Sequence, residues 1–313
     1  MKVRIGVSLG VDGDTDPGVL GEAVVAMEEL GFDSLWLAER ITTATPDPIA
    51  GLGFAAARTR RLKLGTGVMV LPGRNPAVVA KQLATLDRLS GGRLLVTFGL
   101  GGDPGERAAF PIPPGRRRGD AFDEALDVVR RHLSDDGAAD SGGVDGVVVR
   151  PTTVQQPLEF WVAGTAPEAQ RRAGRLADGW LTSLLTPEEA RRGREVVEAA
   201  AARAGRQVDP EHFGVSLAYA DGPIPSALVA TIARRRPGLD PADVVPNSLP
   251  ATVGLLEDYV AAGFSKFVLR PASPSRDWPT TLAAMASTLL PLQRLTTGMP
   301  GSGAGTAPQK PDR

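Results

Sequence analysis

Apolar and polar positions alternate from the first residues of the chain: Val3, Ile5, Val7 and Leu9 are apolar, and Arg4, Gly6 and Ser8 between them are polar or small. A two-residue period of this kind predicts a strand. Strand-like runs recur at Ser34 to Ala38, Leu62 to Val70, Leu94 to Leu100, Glu159 to Ala163, Gly179 to Ser183, Phe213 to Tyr219 and Lys266 to Arg270, with helix-like stretches between them. The unit is clearest in Leu62 to Gly102. Two buried strands, Leu62 to Val70 and Leu94 to Leu100, flank a helix that Asn75 caps and Pro76 opens, at the position where a missing N–H costs nothing. Val79, Leu83, Leu86 and Ser90 fall on one face of that helix, and Gly91-Gly92 ends it before Arg93 starts the next strand. This is a parallel β-α-β unit. Glycines crowd the C-terminal ends of both strands (Gly65 and Gly67; Gly99, Gly101 and Gly102), where bare backbone admits a flat group, a planar cofactor among the candidates.

Strands separated by helices along the whole chain predict an α/β fold, specifically a (β/α)8 barrel. An open doubly wound sheet is the rival, but its G-x-G-x-x-G signal after the first strand is absent, since Leu9 leads into GVDGDTDPG. The longest departure from the repeat, Gly101 to Pro157 after the fourth strand, holds a helix over Arg118 to Leu133 and a Gly/Asp-rich piece. Such a segment is expected to overhang the face where barrels keep their sites. Residues 1–297 read as one domain, and 298–313, rich in Gly, Pro and Ser without apolar periodicity, as a disordered tail.

Composition narrows the partners. A chain of 313 residues, 42% hydrophobic, with formal net charge −1, buries a large core and shows no basic excess for nucleic acid and no membrane span. The expected partner is a small molecule. There are no cysteines, which excludes disulfides and thiolate chemistry, and the N-terminus lacks a signal peptide, so the expected location is cytoplasmic.

Barrel sites sit at the C-terminal ends of strands, and position therefore selects candidates before residue type does. The selection is Ser8, Glu39, Arg40, Gly67, Val68 and Met69 from the first three strands, with Thr97, Gly99, Gly164, Thr165, Trp180 and Arg270 from the rest. Thr165 and Glu168 form T-x-x-E, a capping-box pattern that Thr186 to Glu189 repeats. The alternative at Gly164-Thr165 is an anion site, because Gly164 leaves the backbone N–H groups bare at a helix start. Neither histidine is placed for catalysis: His132 falls late in a helix and His212 at the N-terminal end of a strand. Glu39 becomes the proton donor or acceptor by elimination, the alternative being a carboxylate that pairs with Arg40. Trp180 either walls the site or packs in the core.

The block LGTGVMVLPGRNPAVVAKQLATLDRLSGGRLLVTFGLGG, with MEELGFDSLWLAER, FWVAGTAPEAQRRAGRLADGWL and AAGFSKFVLRP, resembles the luciferase-like monooxygenase superfamily, over roughly residues 1 to 292. The resemblance implies a luciferase-like TIM barrel and an oxidoreductase that transfers hydride between a deazaflavin, coenzyme F420, and an organic substrate. It leaves as alternatives an FMN-dependent monooxygenase and a non-catalytic flavin-binding barrel, and it also implies a possible homodimer. A non-proline cis peptide at Gly67-Val68 is implied against the ring, where the sequence alone reads a plain β-bulge. Cofactor contacts are then expected from Gly67, Val68, Thr97, Gly99, Gly164, Thr165 and Arg270, the last of which is otherwise a rim ion pair. Ser8, Arg40, Met69 and Trp180 are expected around the substrate. Many relatives carry a histidine after the acidic residue that follows the second strand; Arg40 stands there instead. The run Arg116 to Arg118 is either a solvated face or a contact for the polyglutamate tail of the deazaflavin.

Overall fold

The computed structural model describes residues 1–9, 16–102, 104–134, 143–275 and 277–295. Its strands are β1 (Arg4–Ser8), β2 (Ser34–Leu37), β3 (Lys63–Thr66), β4 (Met69–Val70), β5 (Leu94–Gly99), β6 (Phe160–Ala163), β7 (Gly179–Ser183), β8 (Phe213–Tyr219) and β9 (Lys266–Pro271). All pair in parallel, in the order β3-β2-β1-β9-β8-β7-β6-β5-β4, and a β3–β5 pairing closes the ring. Because β3 and β4 are two halves of the third strand, the result is the expected (β/α)8 barrel. The ring of helices around it includes α1 (Pro17–Leu30), α2 (Pro48–Arg58), α3 (Pro76–Ser90), α4 (Arg118–Leu133), α5 (Pro167–Leu176), α6 (Pro187–Arg203), α7 (Ser226–Arg235), α8 (Leu249–Ala261), α9 (Trp278–Leu289) and α10 (Pro291–Leu295). No helix among the described residues is long and apolar enough to cross a membrane. Residues 298–313, the expected tail, lie outside the described residues.

Local chemistry explains where the helices start. Asp16, Asp47, Asn75 and Thr186 each accept N–H bonds from the first turn of α1, α2, α3 and α6, and each is followed by a proline at the first helical position. α5 also begins at a proline, Pro167, but its N-cap is Ala166, which has no side chain to offer. α3 ends at Gly91 in the left-handed conformation, as its sequence predicts.

Strand alternation divides the core in two. Outward residues such as Ile5, Leu35, Leu64, Val96, Phe160 and Phe267 pack against the helices, while Trp36, Trp161, Leu181 and Val268 fill the barrel interior. The two indoles fit against glycine. A Cβ on Gly65 would stand 2.4 Å from the Trp36 ring, and one on Gly179 2.4 Å from the Trp161 ring. The flat group that approaches the backbone at Gly65 is thus the protein's own tryptophan, and the expectation of a cofactor there is corrected.

The Gly101 to Pro157 segment behaves as two pieces. Residues near Glu106 and Phe110 cross the C-terminal ends of the strands, where Glu106 accepts a hydrogen bond from the Thr42 hydroxyl at 2.9 Å. The later piece runs back along α3, whose buried Asp87 accepts the N–H groups of Val154 (2.6 Å) and Gln155 (3.0 Å). A further unit, not foreseen in the sequence, follows β8. Ala220, Ile232, Val244 and Val245 form a small apolar cluster of their own, joined to the barrel by Ala220 N–H to Pro246 C=O at 2.8 Å.

Candidate active site

The third strand breaks at the mouth of the barrel. Leu64 and Gly65 pair with Leu94 and Leu95, and Met69 and Val70 pair with Phe98 and Gly99, so three residues on one strand oppose two on the other. This is a β-bulge. Its Gly67-Val68 peptide is cis, as the resemblance implies. The ladder is completed around the break: Gly67 N–H donates to Leu37 C=O, Glu39 N–H donates to Val68 C=O, and the Thr66 hydroxyl both accepts from Thr97 N–H and donates to Thr97 C=O. The Val68 side chain lies over Gly99, where a Cβ would be 2.7 Å from a Val68 methyl. Gly99 therefore serves Val68.

The extra residue also reverses the alternation beyond it. In an unbroken strand Met69 would face the mouth with Gly65 and Gly67. Instead Met69 is 1% exposed and belongs to the core between barrel and helices, which corrects its expected place in the substrate pocket. Trp180 is placed likewise: it is fully buried among the outer core and packs against Phe264, and it reaches the mouth only by donating its Nε1–H to Gly164 C=O at 2.9 Å. Ser8, Thr97 and Arg270 alternate with outward core residues and so stand on the interior face at strand ends. The Thr97 hydroxyl is buried without a hydrogen-bond partner among the described residues.

Glu39 follows β2 and is 7% exposed. Its Oε2 accepts Val70 N–H at 2.7 Å, and its Oε1 is bonded by the Arg74 guanidinium. Arg40 is not its partner. Arg40 pairs instead with Glu106 at 3.4 Å, so two carboxylates and two guanidinium groups stand together at this side of the mouth. Burial pushes the Glu39 carboxyl above its ordinary value, more than Val70 N–H and Arg74 pull it back; Asp47 and Glu106 add to the rise. A carboxyl so placed can hold a proton nearer neutral pH than a free one. Arg74 and Glu106 escaped the sequence reading because neither lies at a strand end, and their partners are distant along the chain.

On the opposite side, Gly164 leaves β6 with φ +139°, and a Cβ there would meet the Ala169 methyl at 2.7 Å. Thr165 does not cap α5. The N-cap is Ala166 and no side chain caps it, so the capping-box reading of Thr165–Glu168 is not what the chain adopts, whereas Thr186–Glu189 forms the complete box. The first N–H groups of α5 thus face outward beside a cavity of about 410 Å3, walled by Thr165, Ala166 and Gln170 on one side and by Glu189, Arg192 and Arg236 on the other. An uncapped helix start suits an anion; the guanidinium groups across from it are paired, Arg236 with Glu189 and Arg192 with Glu188.

The remaining candidates fall outside this arrangement. His132 lies on α4, and His212 Nδ1 bonds Asp178 C=O at 2.9 Å, at the N-terminal end of β8. The basic run divides: Arg116 pairs with Glu124, Arg117 is exposed, and Arg118 turns inward to bond Leu100 C=O and Phe110 C=O, each at 2.9 Å. No group of His, Asp or Glu among the described residues is arranged to hold a metal ion.

Comparison with known proteins adds four findings. The family model of luciferase-like monooxygenases matches residues 2–243. A putative coenzyme F420-dependent oxidoreductase of Mycobacterium tuberculosis is 29% identical over 68% of this chain and 65% of its own, just under two thirds of that relative. An F420-dependent glucose-6-phosphate dehydrogenase of Kineococcus radiotolerans is 28% identical over 89% of this chain and 94% of its own. Among solved structures, the coenzyme F420-dependent tetrahydromethanopterin reductase of Methanopyrus kandleri shares the fold with a TM-score of 0.71, at 19% identity over 93% of this chain and 99% of its own.

Proposed function

The chain belongs to the luciferase-like monooxygenase family, and on that footing we propose that it is an oxidoreductase that exchanges hydride between coenzyme F420 and a small organic substrate. The observation that carries the proposal is the start of α5, where Ala166 stands in place of a capping residue and Gly164 bares the backbone beside a cavity. Gly164, Thr165 and the first turn of α5 hold the cofactor phosphate. Gly67 and Val68 would back the ring, with the buried and unpartnered Thr97 hydroxyl on the neighbouring strand beneath them. Arg270 is the remaining cofactor contact in this reading, while Ser8 and Arg40 border the substrate.

The deazaflavin supplies a carbon centre that accepts or donates hydride and does not activate oxygen. The protein's share is orientation and proton handling. Glu39, raised by burial and already bonded on both oxygens, takes or returns the substrate proton beside the Arg40–Glu106 pair. Glu39→Gln is expected to lower turnover roughly 100-fold while leaving cofactor affinity nearly unchanged. FMN is the second reading, since its phosphate suits the same helix start; the reaction would then be a monooxygenation. The relatives named as F420-dependent favour the deazaflavin.

The absorbance spectrum and mass of the chromophore that co-purifies, followed by titration with F420 and with FMN, decide between them. Tighter binding of F420 is expected. Nanomolar FMN binding without response to F420 would transfer the chain to the monooxygenases, and a bound chromophore with no turnover against a panel of acceptors would make it a carrier.

A further inference from the structure

Three bonds close a ring around Val70. Its N–H donates to Glu39 Oε2 at 2.7 Å, its C=O accepts Arg74 Nε–H at 2.7 Å, and the Arg74 Nη2 bonds the other oxygen of Glu39. Arg74 itself is fixed from outside. Its guanidinium lies 5.2 Å from the centroid of the Phe110 ring, and the preceding Gly73, at φ +86°, packs so close to Phe110 that a Cβ would stand 2.6 Å from its carbonyl carbon. The loop after β4, the loop after β5 and the end of β2 therefore meet at one guanidinium.

The surrounding charges make that guanidinium decisive. Glu39 faces Asp47 from the start of α2 and Glu106 from the loop after β5, both of which oppose its ionisation, and Arg74 is the cation that offsets them. Arg40 is engaged by Glu106. We infer that Arg74 is a positioning residue for the proton site: it holds Glu39 and the Val68–Val70 edge of the third strand as one rigid unit and sets the ionisation of Glu39 without touching the substrate. This rests on the reading of Glu39 as the proton-handling group, but the unit exists in the protein alone and is tested there.

The measurement is a carboxyl 13C NMR titration of the full chain without cofactor, with Glu39→Gln used to assign the Glu39 resonance. In Arg74→Met, loss of the cation leaves Glu39 facing Asp47 and Glu106, and its midpoint is expected to rise by at least about one pH unit. Arg74→Lys, which keeps the charge, is expected to restore most of the shift. Should Arg74→Met fail to fold, Arg74→Gln, which still has an N–H for Val70 C=O but no charge, is expected to show the same rise. A Glu39 midpoint that does not move in the uncharged variants would overturn the inference. So would a Lys variant that behaves like Met. If neither F420 nor FMN binds, the proposed function falls while this titration still decides the role of Arg74.

Discussion

Two helix starts in this protein carry the same T-x-x-E spacing and adopt different structures. In Thr186–Glu189 the proline follows the threonine directly; in Thr165–Glu168 an alanine stands between them. Proline is accommodated at the first helical position, so it sets the register of each start. Thr186 thereby becomes the N-cap of α6 and makes the full reciprocal box with Glu189. One residue of displacement leaves Thr165 outside α5 and puts Ala166 at the cap. The preceding residues differ to match: Leu185 is buried in the core, while Gly164 takes a φ of +139°. A closed helix start spends its N–H groups on its own side chains; an open one keeps them for a ligand.

Converting the open start into the closed kind tests the comparison most severely. Ala166→Asp supplies a carboxylate that accepts the same N–H groups and repels a phosphate. Cofactor affinity is expected to fall about 100-fold, or about 2.7 kcal/mol, while stability rises about 1 kcal/mol; calorimetric titration and thermal unfolding measure the two. Affinity that survives this change would place the anion elsewhere. Gly164→Ala is expected to cost about 1–3 kcal/mol of stability through its backbone angle and the Ala169 contact, seen in denaturant midpoints, and so probes binding less cleanly.

A smaller, paired effect should separate the two threonines. Thr186→Ala is expected to lose about 1 kcal/mol of stability and leave cofactor affinity within about twofold. Thr165→Ala is expected to leave stability unchanged and weaken binding about fivefold, the worth of one hydrogen bond. Equal stability losses would mean that both residues cap. The smallest effect belongs to Glu189. Burial works against its ionised form, but Thr186 N–H and Arg236 hold its carboxyl below the ordinary 4.5. Its contribution is therefore present above about pH 4.5 and lost as pH falls through the lowered value. Urea midpoints of wild type and Glu189→Gln should differ near neutrality and converge in acid.

The barrel was legible because each strand and its helix are local patterns. The helix from Pro76 to Ser90 has both its cap and its glycine stop written beside it, and the strand runs carry their own apolar signal. The mouth was legible only by position. Met69 was misplaced because the alternation was carried unbroken past Gly67-Val68, although a β-bulge there was legible, and the Trp36 indole claims Gly65 from the neighbouring strand. Glu39 was found, but its partner was not, since pairing with Arg74 joins loops 35 residues apart. The T-x-x-E at Thr165 misled because the pattern omits proline, whose position decides which residue caps.

The bulge after Thr66 also limits how the chain can change in length. Removing one of the three residues between Gly65 and Met69 would match the two between Leu95 and Phe98, restoring an unbroken ladder with Met69 and Val70 on their present faces but without the bulge. Removing two would leave one residue opposite two, turn Met69 toward the mouth and withdraw Val70 N–H from Glu39. A chain one residue shorter here is expected to lack the bulge yet keep the strand in register on both sides of it, so homologous chains should be aligned through this segment by its pairing with β5 rather than by matching letters.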